Sequence, residues 1–173
     1  MRSCGECGLC CKVFDLAEMN KVTGSWCQHF RPRKGCGIHE SRPTTCRLFH
    51  CTWLLRPEEF GDEWRPDRAG FVLWSQKAGD SVGLIVEVDP NRPASWRAEP
   101  YLSTLRRIAI RTDERCVEIL IRTRQRVQML FPEGVVDLGE NCNLPIASGY
   151  KESGGQRLPF AHYVRPADPS AIG

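Results

Sequence analysis

VGLIVEV, residues 82–88, sets the architecture of this 173-residue chain. Val82, Leu84, Val86 and Val88 fall on one side of an extended backbone, since successive side chains of a strand point to opposite faces. Upstream, FVLWS at 71–75 reads as a partner strand across the turn Gln76-Lys77-Ala78-Gly79-Asp80. Downstream, residues 93–111 read as a helix whose firm part starts near Pro100. Tyr101, Leu102, Leu105, Ile108 and Ala109 form its apolar stripe. Residues 116–122 and 126–131 make a second hairpin, with Val117, Ile119 and Ile121 facing one way and Val127, Met129 and Phe131 matching them. Residues 135–138 add a short strand. The order ββαββ predicts an α+β domain: a small antiparallel sheet with one helix on a face.

Toward the N-terminus the apolar period disappears and cysteine replaces it. Eight of the ten cysteines lie between Cys4 and Cys51, four of them in CGECGLCC at 4–11. Asp15-Leu16-Ala17-Glu18 has the capping-box form and predicts two helical turns. Pro43-Thr44-Thr45 predicts a helix running to about Leu55. The Gly- and Pro-rich stretch between them is a loop. So little periodic apolar sequence makes a weak core, and a metal is what holds such a segment. The chain therefore divides into a cysteine-cluster, metal-stapled domain at 1–55, a polar connection at 56–70, the small α+β domain at 71–139, and a Gly-, Ser- and Asn-rich tail at 140–173 that reads as loose.

Disulfides, a redox pair or a metal could each explain thiols this dense. No apolar leader opens the chain, and no run approaches the ~20 residues of a membrane span. A cytoplasmic chain keeps its thiols reduced, which favours metal over disulfides. CGEC also lacks the strand-then-helix setting of a thioredoxin-like redox pair. The predicted ligands are Cys4, Cys7, Cys10, Cys11, Cys27, Cys36, Cys46 and Cys51. Eight thiolates satisfy two tetrahedral zinc ions, or one iron–sulfur cluster with thiols to spare. Neighbouring side chains diverge, so Cys10 and Cys11 are expected in different sites. So are Cys46 and Cys51, about 140° apart around a helix unless the helix breaks. Cys116 reads as a packed small hydrophobe and Cys142 as a loop thiol. His29, His39 and His50 read as neighbours of the ligands rather than ligands.

The stretch CGIHESRPTTCRLFHC, residues 36–51, together with the opening CxxCxxCC and Cys27, closely resembles the YkgJ-like cysteine-cluster family, a zinc- or iron-chelating domain. The likeness covers residues 1–55 and includes Arg42-Pro43 and Arg47 between the last cysteines. It implies metal chelation by the same eight cysteines. His39 stands where that family usually has Tyr, which argues against it as an added ligand. A related cysteine domain occurs in flagellin lysine methylases, but nothing in this sequence resembles a methyl-donor site.

Net charge is +3. Residues 1–55 carry 8 Lys and Arg against 4 Asp and Glu, while 56–173 carry 16 against 17. Eight thiolates holding two divalent ions bring about −4, which cancels the basic excess, so nucleic acid is the weaker reading of it. Arg106, Arg107, Arg111, Arg115, Arg122, Arg124 and Arg126 read as a wet face balanced by Asp113, Glu114 and Glu118. Trp53, Trp64, Trp74 and Trp96 read as core or interface anchors. The sequence holds no Ser/His/Asp arrangement, phosphate loop or dinucleotide fingerprint. The reading is a metal-binding protein with zinc or iron–sulfur, its status as an enzyme and its protein partners open. An iron–sulfur redox enzyme component and a nucleic-acid binding module are the alternatives.

Overall fold

A computed structural model describes residues 2–78, 81–110, 117–140 and 143–164. Its cysteine-rich segment is built of short pieces. Helix α1 (Cys10–Val13) is a single turn. A 3₁₀ turn at Ala17–Met19 replaces the two helical turns that the capping-box spacing predicts. Strands β1 (Phe30–Arg31) and β2 (Gly35–Cys36) pair antiparallel. The helix expected up to Leu55 is broken into α2 (Thr44–Leu48) and α3 (Thr52–Leu55), with Phe49 and Cys51 extended between them at ψ 125° and 157°. Phe49 packs its ring against Phe14, 4.7 Å between centroids, and both meet Trp74. Helix α4 (Pro66–Ala69) ends the connection at Gly70, whose φ of 80° suits glycine.

The alternating runs are strands: β3 (Phe71–Ala78), β4 (Ser81–Val88), β5 (Val117–Thr123) and β7 (Val135–Glu140) run past their expected ends, while β6 (Arg126–Leu130) stops one residue short of its own. Helix α5 (Tyr101–Ile108) lies between β4 and β5 and buries the predicted stripe. The sheet order is β3-β4-β5-β6-β7, and β4 and β5 run parallel. Strands β8 (Ile146–Ser153) and β9 (Gln156–Tyr163) form a further hairpin inside the stretch read as a loose tail. The expectation of an α+β fold with a small antiparallel ββαββ sheet and one helix is therefore overturned. The described residues are mostly β, with nine strands in three sheets, a mixed five-stranded sheet among them, and only short helices. The crossover is the physical reason: a parallel pair needs a dozen or more connecting residues, and 89–116 supply them. Gly79, Asp80, Arg111, Asp113, Glu114, Arg115, Cys116, Cys142 and residues 165–173, to which expectations were attached, lie outside the described residues.

One core spans both segments. Cys7, Leu9, Val13, Cys51 and Trp53 share it with Phe71, Val86, Leu105, Ile119 and Leu130. Trp53, Trp64 and Trp96 are buried as expected, and Trp74 is half-buried. The pairing of faces in the second hairpin differs from expectation. Ile119 stands opposite Leu130 and Ile121 opposite Gln128, so Val127 and Met129 face the other way, beside Arg122 and Leu120. Both sets are buried, because both faces of the sheet are covered.

Glu87 lies on that second face, buried, with Arg122 Nη1 donating to its carboxylate at 3.3 Å. Burial pushes its pKa up to about 7, against the pull of the Arg122 charge. A raised carboxylate stabilises the fold below its unfolded value of 4.5 and loses that contribution as pH rises through about 7. At about 1.4 kcal/mol per pH unit, Glu87 costs the fold about 3 kcal/mol at pH 8 relative to pH 4. We expect Glu87→Gln to be stabilised relative to wild type at pH 8 and nearly equal to it at pH 5, read by urea unfolding. Equal differences at both pH values would show that Glu87 does not titrate in this range.

Candidate metal centre

Main-chain contacts tie together several of the stretches that carry the eight cysteines. Arg2 Nη1 donates to the carbonyls of Trp53 (3.0 Å) and Phe60 (2.6 Å), and its guanidinium lies 4.7 Å from the Trp53 ring centroid. This pins the first turn beside Cys51 and α3. The Cys7 N–H donates to the Cys4 carbonyl at 3.2 Å, closing the CxxC turn. The Cys27 N–H donates to the Cys11 carbonyl at 2.8 Å, and Phe30, three residues on, pairs with Cys36. Gly35, at φ 79°, tolerates no side chain, because a Cβ there would stand 2.1 Å from the Gly5 carbonyl oxygen. That close approach presses the β1–β2 ribbon onto the CGECGLCC turn.

All eight are free thiols, Cys7 and Cys51 buried and the others half-buried. Cys10 is hydrogen-bonded to both Cys4 and Cys11. Those bonds and burial hold the Cys10 proton on, while the same bonds favour the thiolates of its neighbours. Cys4 is drawn down to about 6 by the Cys10 bond, against burial and with help from the charges of His39 and Arg42. Cys11 is lowered by Cys10 too, with Lys21 and Arg42 adding to it. Burial pushes Cys7 up to about 12 and raises Cys36, Cys46 and Cys51. Buried Arg42 Nε has no hydrogen-bond partner while its charge bears on Cys4, Cys11 and Cys36. An orphaned guanidinium donor beside thiolates is one a metal-held thiolate would satisfy.

The electrostatic neighbourhoods overlap, because Cys11 feels both Cys10 and Cys4. Cys7 and Cys51 both feel Cys4. Cys36 and Cys46 both feel Cys11 and Cys27. The break between α2 and α3 separates Cys46, which feels Cys11, Cys36 and Cys27, from Cys51, which feels Cys4. Among the described residues no three His, Cys, Asp or Glu side chains stand already closed around a metal position. In kind and number the donors fit two four-thiolate ions; in geometry the side chains stop short of two tetrahedra.

Two of the nearby histidines have polar neighbours of their own. His39 Nδ1 lies 3.3 Å from Glu40 Oε1, and His50 Nδ1 lies 3.2 Å from the Leu48 carbonyl. Two lysines went unmarked in the sequence. Lys21 Nζ donates to the carbonyls of Lys12, Phe14 and Val22, and its charge faces Cys11 and Cys27. Lys12 is buried and donates to Asp89 Oδ1 at 2.6 Å. No motif announces either, because each role depends on a partner brought close by folding.

The chain matches no protein-family model, no curated protein and no solved structure. The likeness to the YkgJ-like family thus rests on the motif residues of 1–55 alone. No helix among the described residues is long and apolar enough to cross a membrane.

Proposed function

We propose that the protein is a metal-chelating protein whose eight N-terminal cysteines hold two divalent ions such as zinc. Cys4, Cys7, Cys10 and Cys51 take one ion, and Cys11, Cys27, Cys36 and Cys46 take the other. The observation that carries the proposal is the Cys4–Cys10–Cys11 thiol cluster set against the unpartnered Arg42 Nε. A reducing, cytoplasmic setting, in which thiols stay reduced, belongs to the same reading.

The test is elemental analysis of protein purified without oxygen. Wild type should carry about two zinc equivalents, and Cys51→Ser and Cys46→Ser should each lose about one. Brown protein from which either variant strips all the metal would favour an iron–sulfur cluster instead. Metal-free protein with all ten thiols titratable would sink the proposal.

A further inference from the structure

A cleft of about 650 Å³ opens between the cysteine-rich segment and the sheet. Its volume lies within the range of small-molecule sites. The aromatic wall is Trp26 stacked on Phe30, with ring centroids 4.0 Å apart and planes within 12°. Phe30 lies flat on Gly8, where a Cβ would come within 2.3 Å of the ring, so the stack has a fixed base. Trp26 is 47% exposed although it is the largest apolar side chain of its loop. Arg33 and Arg92 line the same cleft with Glu6 and Asp67. Arg92 is anchored by donating to the Asp67 carbonyl at 3.3 Å. Arg33, on the tight turn of the β1–β2 ribbon, is held at a φ of 62°.

These features call for a ligand with three parts. A simple anion would leave the aromatic wall and the carboxylates unused. A cation would meet two arginines. A planar ring stacks on an exposed indole, a phosphate accepts from arginine, and hydroxyl groups donate to carboxylates. We propose that this cleft binds a nucleoside phosphate, with its base on Trp26, its phosphate between Arg33 and Arg92, and its ribose hydroxyls toward Glu6 and Asp67. The cleft borders the thiols that would hold metal, since Cys7 is among its lining residues, but none of the proposed ligand contacts is made by a thiol.

The experiment is calorimetric titration of the full chain, as purified with its own metal, using adenosine 5′-monophosphate. Adenosine, inorganic phosphate and a 5′-phosphorylated single-stranded RNA hexamer are the comparison probes. The monophosphate should saturate with a Kd below about 1 mM, and adenosine and phosphate should each bind at least about tenfold more weakly. Trp26→Ala and Arg33→Gln should each weaken the monophosphate about tenfold while metal content and circular dichroism stay unchanged. Both are exposed positions, so folding is not at stake. Tighter binding of the hexamer assigns the site to a strand end, and tighter binding of the monophosphate to a free nucleotide. No saturable heat from either phosphate probe, or equal affinity in wild type and both variants, overturns the proposal.

Discussion

Chelator treatment should unfold the sheet along with the cysteine-rich segment. Structural zinc is worth on the order of 10 kcal/mol in small zinc domains, and a whole domain is stable by only about 5–15 kcal/mol. Residues 1–55 have few apolar side chains with which to make up such a loss. The sequence alone suggested that residues 71–138 would survive it as a separate core. The packing points elsewhere, because Cys7, Leu9, Val13, Cys51 and Trp53 complete the core on which β3 and β5 rest. Removing them opens the core that also holds Phe71 and Leu73, which are 0% and 5% exposed in the intact fold. We therefore expect one cooperative transition after metal removal and no protease-resistant fragment of the sheet region. Limited proteolysis with mass spectrometry, with and without chelator, reads this directly. A stable 71–138 fragment would show that the sheet folds alone.

Breaking the Lys12–Asp89 pair should be nearly as damaging. Lys12 follows the CxxCxxCC run and Asp89 follows β4, so the 2.6 Å contact ties the cysteine segment to the sheet. Both side chains are shielded, at 6% and 12% exposure. Asp89 Oδ1 also accepts from the Asn91 N–H at 2.9 Å, which holds the turn after the strand. Removing one partner of a buried pair leaves the other charge uncompensated and costs about 3–5 kcal/mol. Lys12→Met should therefore lower unfolding free energy by that amount, measured in urea. Asp89→Asn should lose somewhat less, since an amide oxygen can still accept from Asn91. Replacing both, Lys12→Met with Asp89→Leu, should recover part of the loss. A Lys12→Met variant within about 0.5 kcal/mol of wild type would mean that water already screens the pair.

Much of this architecture is readable in the residues, and the failures share a cause. Alternation of apolar residues located β3 to β7, and the helical stripe located α5, because both periods are local properties of the backbone. Alternation does not say which strands become neighbours. The parallel pairing of β4 with β5, and the one-residue shift that turns Val127 and Met129 away from Ile119, are settled between strands. The β8–β9 hairpin was hidden for a different reason. IASGYKES and QRLPFAHY mix apolar and polar residues without a clean alternation and are partly exposed, and such strands give little periodic signal. They are ordered by eight paired positions, by Tyr150 stacking edgewise on Phe131 at 5.6 Å, and by Ser148 bonding Glu118.

At the candidate site the division runs the same way. The types and spacings of eight cysteines, with Arg42 among them, are what the metal proposal rests on, because a donor set is written in residue identity. Which thiols bear on one another, such as Cys4 on Cys51, depends on residues up to 47 positions apart. The partner of Lys12 is 77 residues away, and the cleft walled by Trp26 and Arg92 is drawn from equally distant segments. Chemical kind and local period belong to short stretches of chain. Pairing, burial and charge neighbourhood arise only when distant stretches exclude water from each other, and so the tertiary structure alone decided them.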